Sequence, residues 1–281
     1  MIIDYHTHFM RRVHFGLEFA REWDARGGTG AWPDVTFEEF EAAMQPVDKA
    51  IVFGITAHAL GIDTPHDYVA QLVHRKPEKF IGFMALDPSD ERAIQSMEQG
   101  VHEFGLKGIK LYPVMSLYNI ADSSLRPFFE RAIQLGLPIL THIGTSPATR
   151  GLLKYSTPLL VDELAVTFPD LKIIMAHLGH PWQRETAMVI RKHANVWADI
   201  SGLWHRPWQG YEALIVCLEW GVEDKLIFGS DFPLWKPEAA ISGLRRLNDQ
   251  VAGTPLPKIP ADVIDRILHR NILPELGIQH K

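Results

Sequence analysis

Leu137-Pro-Ile-Leu-Thr-His142 and Leu171-Lys-Ile-Ile-Met-Ala-His177 are two short apolar runs, each closed by a histidine. Near-continuous apolarity over a few residues is how a strand covered on both faces reads, as in a parallel sheet flanked by helices. Six further runs share the pattern: Met1-Ile-Ile-Asp-Tyr-His6, Lys49-Ala-Ile-Val-Phe-Gly-Ile55, Lys79-Phe-Ile-Gly-Phe-Met-Ala85, Leu106-Lys-Gly-Ile-Lys-Leu111, Asn195-Val-Trp-Ala-Asp-Ile200 and Asp224-Lys-Leu-Ile-Phe-Gly-Ser-Asp231. Between them lie longer segments with apolar residues three and four apart, the helical period. From Ser123 to Leu135, for example, Leu125, Phe128, Phe129 and Ile133 share one face, with Asp122 or Ser123 as cap. Pro88 to Phe104 and Pro181 to His193 follow the same rule. Strand–helix units repeated eight times predict an α/β chain, a single (β/α)8 TIM barrel over residues 1–281; an open doubly wound sheet is the alternative.

Two segments exceed the repeat. Phe9 to Pro33 is rich in aromatics and glycine (Phe15, Phe19, Trp23, Gly27, Gly28, Gly30, Trp32), which predicts a loop-helix flap inserted after strand one. After the turn Gly253-Thr-Pro-Leu-Pro-Lys-Ile-Pro260 comes an extra C-terminal helix, Ala261 to Arg270. Over 281 residues, 46% hydrophobic and 22% charged content is that of a folded globular chain. A net charge of −6 lacks the basic excess of a nucleic-acid binder. No run approaches the roughly 20 apolar residues of a membrane helix. The single cysteine, Cys217, cannot close an intramolecular disulfide and reads as a small buried hydrophobe. The N-terminus shows no basic region followed by an apolar stretch, and together these features predict a cytoplasmic protein.

The chemistry gathers where strands run out. In a parallel barrel the reacting groups sit at the C-terminal strand ends. Here those ends carry His6 and His8, Lys110, His142, His177 and Asp231. Residues two apart on a strand point to one face, so His6 and His8 can converge on one ion. Asp4 shares their parity and is positioned to orient a ligand imidazole. His142 and His177 close apolar runs in which a structural imidazole would need a buried partner. Three imidazoles and a carboxylate on neighbouring strands match the N and O ligands a catalytic divalent ion takes.

The order His-x-His, His, His, Asp over strands one, five, six and eight resembles the amidohydrolase superfamily. Gly108-Ile-Lys-Leu-Tyr-Pro113, Ala176-His-Leu-Gly179 and Gly229-Ser-Asp-Phe-Pro233 resemble its amidohydrolase-related branch, which holds aminocarboxymuconate-semialdehyde and resorcylate-type decarboxylases beside hydrolases and lactonases. The resemblance implies that His6, His8, His142 and Asp231 hold one divalent ion, most often zinc. It implies that His177 is a catalytic proton-transfer or polarising group; a carboxylate such as Asp231 can itself take the proton of an attacking water and return it to the leaving group. It also implies that Lys110 is either unmodified or, as in some branches, carboxylated and bridging two metals. A homodimer is implied as well.

Tyr112 follows Lys110 and Leu111 directly, Trp182 follows Gly179-His180-Pro181, and Trp204 and Arg206 follow strand seven through Ser201-Gly202; with Lys110 they are the candidate substrate-binding residues. Aromatic walls with one arginine suit a planar or carboxylated small molecule. His58, His180 and His205 read as non-ligands; His14, His66, His74, His102, His193, His269 and His280 read as surface residues. The expected activity is metal-dependent hydrolysis of an amide or lactone. Non-oxidative decarboxylation of a small aromatic or unsaturated carboxylic acid is the alternative, the compact chain favouring the first.

Overall fold

The computed structural model describes residues 1–25 and 34–279. Gly27, Gly28, Gly30, Trp32 and Pro33 of the expected flap, and His280, lie outside them. All eight expected strands form, seven of them shorter than the apolar runs that announce them and the first as long but shifted toward His8. They are β1 (Ile3–His8), β2 (Lys49–Phe53), β3 (Phe80–Gly82, resuming at Met84–Ala85), β4 (Ile109–Leu111), β5 (Ile139–Thr141), β6 (Ile173–Met175), β7 (Val196–Asp199) and β8 (Leu226–Ile227).

Every pairing between consecutive strands is parallel. The break in β3 at Phe83 divides the ladder, one half pairing with β2 and the other with β4. Closure is made by the backbone between β8 and β1. Tyr5 N–H donates to Phe228 at 3.0 Å, Asp231 N–H to His6 at 2.9 Å, and His8 N–H to Phe232 at 2.7 Å. A closed sheet leaves no free edge, and the doubly wound alternative is excluded.

Helices follow the strands in turn: α1 (Leu17–Ala25), α2 (Phe37–Ala43), α3 (His66–Arg75), α4 (Ala93–His102), the single turn α5 (Pro113–Ser116), α6 (Arg126–Gln134), α7 (Pro158–Thr167), α8 (Gln183–Lys192), α9 (Pro207–Glu219), α10 (Pro237–Arg245) and α11 (Ala261–His269). Asp122 caps the turn leading into α6 by accepting Ser124 N–H. Phe128 and Phe129 are buried beneath that helix, as the spacing requires. Thr36 and Glu39 form a reciprocal cap at the start of α2.

Alternation along the strands separates two cores. Ala50, Val52, Ile109, Ile139, Ile173 and Ala198 pack outward against helices. Ile3, Tyr5, Ile51, Phe53, Ile81, Leu140, Ile174, Trp197 and Ile227 fill the barrel interior. The C-terminal Ile272, Leu273, Leu276 and Ile278 plug its floor. There Tyr5 Oη accepts Ile272 N–H at 2.8 Å. Cys217 is fully buried, as expected. His66 is a correction: it is half-buried, its Nε2 donating to the Ala85 carbonyl at 3.0 Å. Among the described residues no helix is long and apolar enough to cross a membrane.

Candidate metal centre and catalytic cavity

The interior parity set by the strands decides which polar side chains meet. Along β1 the register against β2 shifts between Asp4 and Thr7, resetting the alternation. Ile3 and Tyr5 therefore face inward near the floor, and His6 and His8 face inward at the mouth. Their rings stand 5.1 and 4.9 Å from the Phe53 ring. Asp4 does not orient an imidazole: its Oδ1 accepts backbone N–H from His6 at 3.1 Å and Ser230 at 2.9 Å, clamping β1 to β8.

The carboxylate that orients His6 is Asp199, at the end of β7. His6 Nδ1–H donates to Asp199 Oδ2 at 2.9 Å. Tyr112 Oη donates to the Gly54 carbonyl at 3.2 Å, so it can accept His8 Nδ1–H at 3.3 Å. Both rings thus turn Nε2 inward, and both meet Asp231: His6 Nε2 lies 3.5 Å and His8 Nε2 3.3 Å from Asp231 Oδ1. His6 Nε2 is buried with no hydrogen-bond partner.

Two neutral ring nitrogens and one carboxyl oxygen then confront one another with at most one proton among them. Burial holds the His6 and His8 imidazoles well below their usual range and pushes the Asp231 carboxyl up to about 8. A cation resolves this conflict. Tetrahedral bonds of about 2.05 Å put ligand atoms roughly 3.4 Å apart, close to the separations found. The donor set fits a divalent ion.

His6, His177 and Asp199 also lie close enough to share an ion. Asp199 is already committed, however. Besides His6 it accepts the backbone N–H of Ser201 at 3.0 Å, the Ser201 hydroxyl at 2.5 Å and the backbone N–H of His177 at 3.1 Å. Four donors on two oxygens make it an orienting carboxylate.

His177 has the wrong parity for the interior, because Ile174 and Ala176 face inward. The chain solves this by leaving β6 in a left-handed turn, with His177 at φ +58°. Asp231, after β8, is likewise left-handed at φ +66°. Such conformations cost of order 1–3 kcal/mol for a non-glycine residue and persist where the surroundings over-determine them. The His177 ring stands 4.6 Å from His6 and 5.0 Å from His142, centroid to centroid.

His142 stands beside the tight ligand group, outside it. Its Nε2 donates to the Thr145 carbonyl at 3.0 Å, which leaves the lone pair on Nδ1. Burial lowers it to about 3.

Lys110 pairs across the ladder with Leu140, an interior residue, which places it inside the barrel. It is fully buried, its Nζ has no hydrogen-bond partner, and it lies 4.8 Å over Phe53 and 4.9 Å over Tyr112. Burial brings it down to about 7 against the pull of Asp199 and Asp231.

Above these groups opens a cavity of about 630 Å³. His8, His142, His177, Ser201 and Asp231 form its floor, and Tyr112, Phe19, Trp23, Trp235 and Arg206 contribute to its walls. Phe19 and Trp23 belong to α1, so the described part of the expected flap does cover the mouth. Of the five expected substrate contacts, Tyr112 and Arg206 line the cavity. Lys110 lies beneath it, while Trp182 precedes α8 and Trp204 packs edge-on against Trp235 and over Gly243. His205, stacked 4.1 Å from Trp235, and His180 are wall residues instead.

The amidohydrolase family matches residues 3–273. A 2-amino-3-carboxymuconate-6-semialdehyde decarboxylase of Dictyostelium discoideum is 28% identical over 202 residues, covering 63% of this chain and 55% of that protein. A dihydroorotase of Helicobacter pylori is 25% identical, covering 57% of this chain and 48% of its own. The chain thus spans about half the length of the curated relatives it matches. Among solved structures, an uncharacterised TIM-barrel protein of Bordetella bronchiseptica superposes with TM-score 0.74 at 18% identity, covering 98% of this chain and 99% of that one. A 5-carboxyvanillate decarboxylase of Novosphingobium aromaticivorans, solved with bound manganese, gives 0.68 at 15% identity over 99% and 97%. Identities this low carry the fold alone. A match running from the first strand to the segment that plugs the barrel floor makes this chain a member of the amidohydrolase family.

Proposed function

We propose that the chain is a metal-dependent, non-oxidative decarboxylase of a small aromatic or unsaturated carboxylic acid. The observation that carries this reading is the cavity itself. Phe19, Trp23, Tyr112 and Trp235 line one cavity together with His8 and Asp231 of the buried His6–His8–Asp231 cluster and with Arg206, a combination that suits a flat, anionic molecule. The carboxymuconate-semialdehyde decarboxylase among its relatives supports the same choice.

His6, His8 and Asp231 would hold one divalent ion, zinc or manganese, with His142 adjoining them. Such an ion supplies positive charge that orients and polarises a substrate carboxylate and its neighbouring oxygen. Arg206 binds an anionic or phenolic group, and the aromatic walls fix the ring plane. Lys110 adds positive charge beneath the cluster. His177 takes a proton at Nε2 from water in the cavity. It delivers that proton to the carbon as the bond to the carboxylate breaks, the electron pair staying on carbon and CO2 leaving.

Hydrolysis is the second reading, supported by the dihydroorotase relative. There Asp231 takes a proton from the attacking water and returns it to the leaving group. Incubating the manganese- or zinc-loaded chain with 5-carboxyvanillate, 2,6-dihydroxybenzoate, dihydroorotate and 2-pyrone-4,6-dicarboxylate separates the two. CO2 release from an acid is expected; ring opening of dihydroorotate or the pyrone without CO2 overturns the proposal.

A further inference from the structure

Asp199 and Ser201 lie outside the expected ligand and substrate sets, yet they bond to both catalytic histidine systems. We infer that they are positioning residues that hold His177 as its Nδ1–H tautomer, leaving Nε2 to exchange protons in the cavity. This rests on the proton-transfer role proposed for His177.

Asp199 Oδ1 accepts backbone N–H groups from His177 and Ser201, so the Ser201 hydroxyl, 2.5 Å away, donates into the same oxygen. That hydroxyl is also 2.8 Å from His177 Nδ1, where its remaining role is to accept. The Ser201 carbonyl, 3.3 Å from Nδ1, can only accept. Both partners are satisfied by a protonated Nδ1, and a neutral imidazole carries a single N–H. Nε2 therefore bears the lone pair. When it takes a proton, the Nδ1 proton stays where it is, and the new charge is backed through Ser201 by the Asp199 carboxylate.

The other oxygen of Asp199 does the same for His6, whose Nδ1–H it accepts. One carboxylate thus sets two tautomers, a metal-facing ring through Oδ2 and a proton-transferring ring through Oδ1. A carboxylate aligned behind a ligand imidazole fixes tautomer and ring angle, and its loss costs about 10–100-fold in metal affinity or activity.

The test reads the tautomer directly. Imidazole ¹⁵N shifts of the full, zinc-loaded chain are recorded for the wild type, Ser201→Ala and Ser201→Thr, with His177→Asn assigning the resonances. The wild type shows a proton on Nδ1. Ser201→Ala leaves the Nδ1–H only the longer contact to the residue-201 carbonyl, so the two nitrogen shifts move toward each other, while zinc stays at one per chain; Ser201→Thr restores the wild-type pattern. Turnover falls about 10–100-fold in Ser201→Ala through kcat, with KM unchanged. A wild-type proton on Nε2, an unchanged pattern in Ser201→Ala, or loss of zinc from that variant overturns the inference. Because the shifts need no turnover, a chain that releases no CO2 refutes the proposed reaction without touching this result.

Discussion

Gly229→Ala adds one methyl group at the seam between β8 and β1. The new Cβ would lie 2.8 Å from His6 Cβ, 3.1 Å from Ser201 Cβ and 3.4 Å from Asp199 Oδ1. Carbon atoms at rest stay about 3.5–4.0 Å apart, so the contact with His6 is short by roughly 0.7–1.2 Å. Both offending carbons are fixed to backbone and no rotamer relieves the overlap. Either the seam opens or His6 shifts, and such overpacking costs about 1–3 kcal/mol. At about 2.1 cal/mol/K of unfolding entropy per residue, this chain loses roughly 2–5 °C of Tm. A displaced His6 also costs about 10–100-fold in metal affinity. Differential scanning calorimetry and zinc titration against a chromophoric chelator measure the two effects. Gly136→Ala is the control: nothing lies within 4 Å of its Cβ, but φ is +67°, so Tm falls while zinc affinity holds. Wild-type Tm and zinc affinity in Gly229→Ala would refute the account of how β8 seats His6.

His177→Asn should retain one metal per chain while turnover falls about 10²–10⁴-fold, the usual loss for an acid–base group; full activity would remove His177 from the chemistry. Arg206→Met should raise KM about tenfold for a carboxylate substrate and leave kcat nearly unchanged, a partly exposed charge–charge contact being worth little more; an equal fall in kcat would place Arg206 at the reacting atoms. The chelated chain should gain stability with pH between about 4.5 and 6. There His6, His8, His142 and His177 are charged in the unfolded chain alone, while Asp4 and Asp231, raised to about 7 and about 8, are protonated in the fold alone. These four histidines, joined by His205 lowered to about 4, outnumber the two carboxyls, so unfolding takes up protons on balance, and urea unfolding with equal stability at pH 5 and 6 would contradict it.

The eight strands were legible because a doubly covered strand has to be apolar over nearly its whole short length. The site was legible where it coincided with a strand end of inward parity, as at His8 and His142. Asp199 obeys the same rule, two residues beyond the inward Trp197, but inside an apolar run it passes for the polar end of a strand. Trp235 lies in the loop after β8, as Trp204 lies in the loop after β7, and was open to the same reasoning. The bulge in β1 was not legible: alternation alone assigns Asp4 to the face of His6, and a register shift changes that. Nor were the left-handed turns at His177 and Asp231: Asp and His adopt a positive φ more often than most residue types, but nothing in the sequence says which of the chain's many do so.

Those turns tie the site to the backbone that carries it. The amide of Asp231 donates to the His6 carbonyl, and the amide of His177 donates to Asp199 Oδ1. Each strained residue is thus anchored through its own backbone to a residue of the cluster it completes. Asp199 in turn holds the His6 ring, and His6 faces Asp231. Strain at two strand ends, the orientation of two imidazoles and the closure of the barrel are therefore one hydrogen-bonded circuit across β1, β6, β7 and β8. A substitution that frees one member acts on all of them. Double-mutant cycles between Asp199 and Asp231 should accordingly depart from additivity, by about 0.5–3 kcal/mol, even though no hydrogen bond joins the two directly.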